Sequence, residues 1–462
     1  MKLQLLQETK ETILSNGYSL LIQDEEIDFS NTIDTNQDEV PFVFKHYEYP
    51  VSSWPVIVSS EMTKRLTRLS TRIPKLLHQI PLKYFGEDLQ LLSDFYFNGD
   101  VNIGKRALAC HHTNVEVSCR LDLIQTSESL EVLEINVGSS VGGWQISFFD
   151  NLIRNIHPVL TNPKTAGDFN SKNTLSLYLQ FLIETINQYL SLEEEINVFV
   201  CLDSIENVEE KNLSLAFLNE LFTIELTKKN MRGMIYSDDV KALQFENKAV
   251  FIKGKQVHAF LVVDALINKM PDMVYEAFLN RKIYLPDHIG TNFIDDKRNF
   301  ALLRQLAEKG AFNEEDTQLI KESIPWTSII EDKEIDYNGK SYDTRKLLIE
   351  QKNHLVIKPA TGFQGTDVYV GKFSNDKEWL EAIDKAFGDT HFIVQKFCNS
   401  KKPLAPNSFN EWVSHKLIWG SFGFGEKYGG VWVRMSDTQS DKGVINSANG
   451  ATEAIVYELK KS

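Results

Sequence analysis

Cysteine is scarce in this sequence, which has only four among 462 residues. The four are scattered and show no Cys-x-x-Cys or other metal-binding spacing: Cys110, Cys119, Cys201 and Cys398. A disulfide framework or a structural zinc site needs paired or clustered cysteines. The sequence therefore argues against both classes, and we expect buried, reduced thiols.

Long apolar runs and an excess of basic charge are also missing. No apolar stretch reaches the roughly 18 residues of a membrane-spanning helix, and the N-terminal segment lacks the apolar core of a signal sequence. The 49 Lys and Arg residues face 64 Asp and Glu residues, which gives a net charge of −15. Nucleic acids and anionic membranes attract basic surfaces. We therefore expect a cytoplasmic protein without nucleic-acid or membrane partners, and oligomer formation stays open.

Two common nucleotide-binding motifs are absent. The sequence contains no GxxxxGK[ST] loop and no G-x-G-x-x-G turn that opens a helix, which disfavours P-loop and Rossmann folds. Glycine and proline are not in excess, and the hydrophobic fraction of 42% is typical of a folded globular protein. The length predicts two or three domains or one large elaborated fold.

Residues 120–137 carry the clearest chemistry. Two segments alternate in the period of a strand, and the short polar stretch Gln125–Leu130 between them predicts a hairpin. Glu134 and Asn136 then leave one face of their strand, and Asp122 joins them across the ladder. Two carboxylates and an amide suit Mg²⁺, and Arg120 beside them suits a phosphoryl or carboxylate group. Alternatively, Glu134 and Asn136 cap an edge strand and Asp122 pairs with Arg120 on the surface.

A loop of small residues follows this hairpin and leads into a helix. Its candidate ligand contacts are Ser139, Ser140, Gly142, Gly143 and Trp144. Glycines permit close backbone approach to a ligand, and serines at a helix N-terminus can donate to an anion. The simpler alternative is a tight turn between a strand and a helix.

A second motif lies more than 200 residues downstream. A buried apolar strand ends at Lys358, and a glycine-bearing turn and a second strand follow. A buried ammonium group needs an anionic partner, and a nucleotide phosphate would serve. The turn can offer several N–H groups to phosphate oxygens, from Gly362, Gln364, Gly365 and Thr366. The alternative is a plain β-hairpin with a solvated lysine.

The remaining candidate residues are expected to lie around Lys358 and its glycine-bearing turn. Asp295–Gly310 is predicted to be a helix, and Lys297 lies in its first turn. The segment His391–Phe397, which contains Gln395, is predicted to be a strand and to present an exposed backbone edge to an adenine. Arg434, on a strand rich in Val and Trp, is expected to point into a site or to bridge to a core carboxylate.

Together these motifs resemble the ATP-grasp ligases, which combine a Lys-Pro strand, a glycine-rich hairpin, an adenine-edge strand and paired Arg-x-Asp and Glu-x-Asn strands. Because the paired strands precede Lys358 here, the order resembles the circularly permuted group, which includes eukaryotic glutathione synthetase and glutathionylspermidine-synthetase-like proteins. Further similar segments are Asp296-Lys297-Arg298, Ile324-Pro325-Trp326-Thr327, Val394-Gln395-Lys396, Gly429 to Arg434, and Asn446-Ser447. The resemblance covers roughly residues 100–150 and 285–455.

The resemblance implies a multidomain fold of α/β and α+β parts: an ATP-grasp fold with a circularly permuted motif order and an inserted α/β layer. Residues 1–100 would form the N-terminal region of the substrate side, and residues 101–160 the strands with the metal-binding motifs. The inserted layer would span 161–290, and the nucleotide-binding portion 291–462.

The resemblance also implies roles for individual residues. The implied Mg²⁺ ligands are Asp122, Glu134 and Asn136, and Asp122 would replace an acid that glutathione synthetase has where Gln395 lies. The implied ATP contacts are Lys297, Lys358, Gly362, Gln364, Gly365, Thr366, Gln395 and Phe397. Arg120 and Arg434 would face the transferred phosphoryl group. The implied acceptor-substrate contacts are Ser139, Ser140, Gly142, Gly143, Trp144 and Asn446.

The implied activity is an ATP- and Mg²⁺-dependent ligase that joins a small-molecule or peptide carboxylate to an amine through an acyl phosphate and releases ADP and phosphate. The protein then supplies positioning and charge neutralisation. Two alternatives stay open: a small-molecule kinase that stops at phosphorylation, and an ATP-grasp-like binding protein without turnover.

Overall fold

The computed structural model describes residues 31–113, 116–192, 194–202, 205–262, 270–362, 366–388, 391–407, 411–438, 443–445, 447 and 450–460. Three predicted contacts lie outside the described residues: Gln364, Gly365 and Asn446. Of the helices in the described ranges, none is long and apolar enough to cross a membrane.

The described chain contains both strands and helices. The strands are β1 Val56–Val58, β2 Ser118–Gln125, β3 Leu130–Val137, β4 Phe169–Asn170, β5 Val198–Cys201, β6 Ile235–Tyr236, β7 Gln244–Glu246, β8 Ala249–Ile252, β9 Lys255–Val257, β10 Ala259–Val262, β11 Thr327–Ile329, β12 Glu334–Tyr337, β13 Lys340–Asp343, β14 Leu355–Pro359, β15 Tyr369–Val370, β16 Phe392–Lys396, β17 Leu404–Pro406, β18 Trp412–Phe424, β19 Lys427–Asp437 and β20 Thr452–Leu459. The helices are α1 Ser60–Leu77, α2 Ile80–Phe85, α3 Leu89–Tyr96, α4 Val101–Thr113, α5 Asp150–Ile156, α6 Pro158–Thr161, α7 Thr174–Leu190, α8 Val208–Thr227, α9 Asp272–Leu279, α10 Asn292–Asp295, α11 Arg298–Glu308, α12 Glu314–Ser323, α13 Thr344–Glu350 and α14 Asp376–Gly388.

The largest sheet in the described ranges has eight strands. Its path is β1-β20-β19-β18-β2-β3, with β17 added to β18 and β4 added to β20. β1 runs parallel to β20, and the pairs from β20 to β3 are antiparallel. β2 therefore lies beside a strand almost 300 residues later, and Asp122 faces Gly420. The sheet joins the predicted metal-binding hairpin to the C-terminal strands.

One face of this main sheet is apolar, because side chains alternate between the faces of a strand. Leu121, Trp419 and Val433 enter a common core with helices α1, α11 and α12. Helix α1 begins after Ser59, whose side chain accepts a hydrogen bond from the Met62 N–H group. The intervening positions of β2, β18 and β19 face the other way. Their side chains line the opposite face, which carries the candidate site.

A second, antiparallel sheet of four strands has the order β11-β16-β14-β15. Helix α14 covers it with Trp379, Ala382, Ile383 and Ala386, which recur at helical spacing. Strand β16 is paired on both sides, with β11 and with β14. The expectation of an exposed backbone edge along this strand is therefore wrong, because β11 covers it.

The middle of the chain contains a small parallel sheet. Its order is β10-β5-β6, and helices α7 and α8 supply much of the surrounding core. Parallel neighbours need a crossover, and α8 provides it between β5 and β6. The mixed α/β architecture predicted from the sequence is confirmed. The domain bounds stay predictions.

The predicted helix Asp295–Gly310 is wrong at its start. Helix α10 ends at Asp295 and α11 begins at Arg298, with Asp296 in a non-helical conformation between them. The Asp296 carboxylate accepts hydrogen bonds from the Arg298 backbone N–H, at 2.8 Å, and from its guanidinium, at 2.6 Å. Lys297 therefore lies in the break, where its N–H donates to the Ala360 carbonyl just beyond β14, at 2.9 Å.

Candidate functional site

Four predicted side chains meet on the face of the main sheet that is turned away from helix α1. In the β2–β3 ladder, Asp122 pairs with Glu134 and Arg120 pairs with Asn136. Direct cross-strand partners point to the same face. The hairpin and the grouping of these four side chains are as the sequence predicted.

Asp122 lies between two guanidinium groups. Its carboxylate accepts from Arg120 Nε at 2.7 Å, from Arg120 Nη2 at 3.2 Å and from Arg434 Nη2 at 2.7 Å. Burial alone would raise the pKa of Asp122, but the two guanidinium groups outweigh it and hold the pKa below its usual range. The ion pair with Arg120 exists, but it is buried rather than on the surface.

The expected metal role of Asp122 does not fit this position. A carboxylate has about four lone-pair positions, and guanidinium groups fill three of them. A metal ion there would also face two positive charges. Asp122 is placed as the counter-ion that fixes Arg120 and Arg434 relative to each other.

We predict that Asp122→Asn will lower the free energy of unfolding by about 3 to 5 kcal/mol, because it leaves two buried guanidinium groups without their counter-ion. Urea denaturation measures the change. Asp384→Asn is the control, because Asp384 also binds an arginine, Arg345, and both side chains are exposed, by 69% and 47%. We expect about 1 kcal/mol or less there. Equal losses in the two variants would contradict the prediction.

Glu134 and Asn136 remain as candidate metal ligands. The side chain of Glu134 is 31% exposed, and its Oε2 lies 3.5 Å from Lys297 Nζ. Asn136 Nδ2 is buried without a hydrogen-bond partner. In the ranges that the structure covers, no group of three or more His, Cys, Asp or Glu side chains is arranged to hold a metal. One carboxylate and one amide fit a Mg²⁺ ion whose shell is completed by phosphates and water.

Lys358 joins the second sheet to the first. Its Nζ donates to the Leu133 carbonyl of β3 at 2.9 Å and to Gln395 Oε1 at 2.9 Å. Both acceptors are neutral, and Lys358 is only 6% exposed. Burial lowers the pKa of Lys358 to about 8, although the charge of Glu134 acts in the opposite direction. The alternative of a solvated lysine is wrong, because Lys358 is buried beside the β2–β3 hairpin.

This lowered pKa has a consequence for stability. The pKa of Lys358 is about 8 in the folded chain against 10.5 ordinarily, so between these values the unfolded chain binds more protons. Stability from this group therefore rises with pH through that window and is lost as pH falls toward 8. We predict that the unfolding free energy of the wild type, relative to Lys358→Met, rises by about 3 kcal/mol. Urea unfolding of both proteins at several pH values checks this, and a flat difference would refute it.

The two predicted adenine contacts have different surroundings. Gln395 is 2% exposed, and its Nε2 donates to Thr327 Oγ1 at 3.1 Å, so its side chain is fully used inside the sheet. Phe397 follows β16 and is half-buried, and Lys372 Nζ lies 5.7 Å from the centre of its ring. Phe397 thus offers an accessible aromatic surface, whereas Gln395 fixes Lys358.

The loop after β3 is tied to the arginine pair. The Gly142 carbonyl accepts from Arg120 Nη1 at 2.8 Å. Gly143 has a φ of +99°, and a Cβ there would lie 2.1 Å from Trp432, so only glycine fits. Ser139 is held by the buried Asp287 carboxylate, which accepts from its N–H at 2.7 Å and also from its hydroxyl.

The other predicted contacts are dispersed. Ser140 and Thr366 are exposed, and the Gly362 carbonyl accepts from Lys297 Nζ at 3.3 Å. Trp144 packs against Phe44, with ring centres 5.8 Å apart, as part of an apolar cluster. The structure therefore brings Lys297 and Gly362 to the site and places the Trp144 ring in a core.

Sequence reasoning missed four residues around the arginine pair. They are Tyr47, Asp287, Trp432 and Glu453. The Trp432 ring lies 5.3 Å from the Arg434 guanidinium, and its Nε1 is buried without a partner. Glu453 is the Cα partner of Arg434 in the β19–β20 ladder. For Glu453, the sequence did offer a signal, because it is an acid within the apolar segment Ala-Thr-Glu-Ala-Ile-Val. The sequence around Tyr47 offered no such signal.

Comparisons with known proteins place this fold. No protein-family model matches the chain, and no curated protein matches it. Among solved structures, it resembles a glutathione synthetase-like effector from Globodera pallida in its apo form, with a TM-score of 0.57, 10% identity, and 89% of this chain and 90% of that chain covered. This likeness spans nearly all of both chains and shows a shared fold.

Two further likenesses are weaker. A gamma-glutamylcysteine synthetase-like protein of Methylobacillus flagellatus KT aligns with a TM-score of 0.41 and 11% identity, over 86% of this chain and 88% of that chain. D-alanyl-alanine synthetase A of Vibrio cholerae aligns with a TM-score of 0.29 and 10% identity, over 53% and 68%. Both scores are too low to support any argument about this chain.

Proposed function

We propose that this chain is an ATP- and Mg²⁺-dependent ligase of the circularly permuted ATP-grasp type, which joins a carboxylate to an amine and releases ADP and phosphate. The observation that carries the proposal is the position of Lys358. Its buried ammonium lies between the second sheet and strand β3, next to the Lys297–Glu134 pair. It donates hydrogen bonds to two neutral oxygens, the Leu133 carbonyl and Gln395 Oε1. An anionic ligand at this junction would neutralise it.

The charge balance of the site supports an anionic ligand. Four buried or nearly buried cations face three carboxylates, and Asp122 is already committed to two of the cations. The cations are Arg120, Lys297, Lys358 and Arg434, and the carboxylates are Asp122, Glu134 and Glu453. Arg434 Nε and Asn136 Nδ2 are also buried donors without acceptors. Phosphate oxygens supply both the charge and the acceptors that these groups lack.

Each group then has a part in the reaction. Lys297 and Lys358 bind the triphosphate, and Glu134 and Asn136 hold Mg²⁺, which supplies charge neutralisation at the phosphates. Arg120 and Arg434, fixed by Asp122, orient the transferred phosphoryl group. A substrate carboxylate oxygen attacks the γ-phosphorus and the bond to ADP breaks. An amine then attacks the acyl carbon of the acyl phosphate, and phosphate leaves.

The remaining predicted contacts complete this proposal. Phe397 borders the adenine, and Gly362 and Thr366 border the phosphates. The loop from Ser139 to Gly143 borders the acceptor through its contacts with Arg120 and Trp432. The reacting carboxylate and amine are small molecules or peptide ends.

An acyl-phosphate trap tests the proposal. The purified chain is incubated with ATP, Mg²⁺, hydroxylamine and a panel of carboxylic acids, and ADP, phosphate and hydroxamate are measured. A ligase releases ADP only with a particular acid and gives its hydroxamate. A stable phosphorylated product without hydroxamate would replace the ligase with a kinase. ATP binding without ADP release across the panel would indicate a binding protein, and AMP release would refute both enzyme activities.

A further inference from the structure

Glu453 is a buried carboxylate on the same sheet face that the ligase mechanism leaves without a role. It is 1% exposed and lies opposite Arg434 in the ladder. A carboxylate so far from water ordinarily pairs with a cation. In the described part of the chain, however, its oxygens accept from two hydroxyl groups, Tyr47 Oη at 2.9 Å and Ser447 Oγ at 2.6 Å, and it forms no ion pair.

Arg434 does not serve as this missing partner. Its Nη2 donates to Asp122, and its Nε is buried without a partner. Residues paired across adjacent strands lie about 5 Å apart at Cα, so the two opposite charges are close enough to meet. Glu453 and Arg434 nevertheless bind other groups or none. Both therefore keep hydrogen-bonding capacity for a ligand that lies between or above them.

The order of groups across the sheet gives this ligand a chemical identity. Glu134 lies on β3, Arg434 on β19 and Glu453 on β20, at the side of Arg434 away from β3. Strands are about 4.8 Å apart, so four strand spacings, about 19 Å, separate Glu453 from Glu134 across the sheet. Glu134 pairs with Asp122, in line with Trp432, whereas Glu453 pairs with Arg434 two residues further along β19. In the proposed ligase, Glu134 marks the nucleotide and Arg434 the transferred phosphoryl group. Glu453, one strand beyond Arg434, then faces whatever approaches the acyl phosphate from that side.

We propose that Glu453 binds the ammonium group of the acceptor, so that the acceptor is a primary amine that enters as a cation. This inference rests on the proposed ligase function and extends it to a substrate class. The hydroxyl groups of Tyr47 and Ser447 orient the carboxylate, and Arg120 and Arg434 donate to Asp122 instead of to Glu453.

The same carboxylate then takes part in the amide-forming step. An ammonium group has no free electron pair, so it transfers one proton to the Glu453 carboxylate. The amine nitrogen attacks the acyl carbon, the C–N bond forms, and the bond from that carbon to the phosphate oxygen breaks. The second nitrogen proton leaves with phosphate. Burial raises the pKa of Glu453, which makes its carboxylate a stronger base.

The test compares Glu453→Gln with Glu458→Gln. Glu458 is also a buried carboxylate of β20, but it lies five positions further and so points to the other face. The first arm uses the acid that gives a hydroxamate in the acyl-phosphate trap. Reaction rates are measured with hydroxylamine, which is mostly uncharged at neutral pH, and with ammonium, glycine and putrescine. In the second arm, calorimetry measures the binding of methylammonium and glycine to the chain with a non-hydrolysable ATP analogue.

We expect Glu453→Gln to lower kcat/KM with the cationic amines by at least 100-fold, through both kcat and KM, and to lower hydroxamate formation by at least 10-fold less than that. Its affinity for methylammonium should fall at least 10-fold, and Glu458→Gln should match the wild type. Equal losses with hydroxylamine and amines would overturn the proposal, because Glu453 would then only support the fold. So would unchanged amine kinetics.

The two arms separate this inference from the proposed function. If the wild type releases no ADP with any acid, the ligase function fails. Calorimetry then still shows whether Glu453 binds an ammonium group. A wild type that binds neither methylammonium nor glycine, or binds them as Glu453→Gln does, overturns the ammonium site. Loss of amine binding in Glu453→Gln alone supports it.

Discussion

Replacing Lys358 with methionine is expected to weaken the binding of a non-hydrolysable ATP analogue by at least about 100-fold. Hydrogen bonds from a charged donor contribute about 1.5 to 3 kcal/mol each, so the loss of two phosphate contacts accounts for this change. Isothermal calorimetry with Mg²⁺ present measures it. In the variant, the two oxygens that accept from Lys358 Nζ, the Leu133 carbonyl and Gln395 Oε1, would bind water instead, or the methionine side chain would cover them.

The fold should survive this replacement, because methionine is close to lysine in length and carries no charge to desolvate. We expect a change of at most about 2 kcal/mol in unfolding free energy at pH 7. Lys377→Met is the control, since Lys377 has an exposed side chain on α14, the helix that covers the same sheet. ATP affinity unchanged in Lys358→Met, or equally reduced in both variants, would remove the observation on which the proposed function depends.

Replacing Glu134 with glutamine is expected to lower turnover by about 1000-fold, which corresponds to about 4 kcal/mol of transition-state stabilisation. Glutamine keeps the shape but loses the negative charge that faces Lys297 and that would bind the proposed Mg²⁺ ion. Steady-state ADP release as a function of Mg²⁺ concentration measures the effect. We expect the Mg²⁺ concentration for half-maximal activity to rise in the same variant.

The fold is expected to tolerate this change, because the Glu134 side chain is about one-third exposed and its ion pair is 3.5 Å long. Thermal unfolding should shift by less than about 3 °C. Glu128→Gln, in the exposed turn between β2 and β3, is the matched control. Normal turnover with unchanged Mg²⁺ dependence in Glu134→Gln would exclude Glu134 as a metal ligand.

Both predictions concern the junction between two sheets. Glu134 and Leu133 belong to the edge strand of the main sheet, and Lys358 belongs to the second sheet. The Lys297 ammonium links them, because it lies 3.5 Å from Glu134 and donates to the Gly362 carbonyl. A ligand at this junction therefore contacts both sheets at once.

Some of this site was predictable because it depends on local periodicity. The alternation of side chains in 120–137 determines which residues share a face, so the grouping of Arg120, Asp122, Glu134 and Asn136 followed from the sequence. The start of α11 at Arg298 did not, because the Asp296 carboxylate accepts from the Arg298 N–H group and interrupts a pattern that otherwise predicts one helix. The exposed edge of β16 was wrong for a similar reason, since β11 covers it.

The sequence by itself determined the strand faces, the lysine at the end of a buried strand and the acidic composition, because these depend on neighbours within a few residues. The tertiary structure alone decided the charge partners. Asp122 binds Arg434 across 312 positions, and Lys358 reaches Leu133 across 225. Which charges meet is fixed by strand order and by the packing of one sheet against another. No local pattern encodes that order, and for that reason Asp122 became a counter-ion and Glu453 went unnoticed.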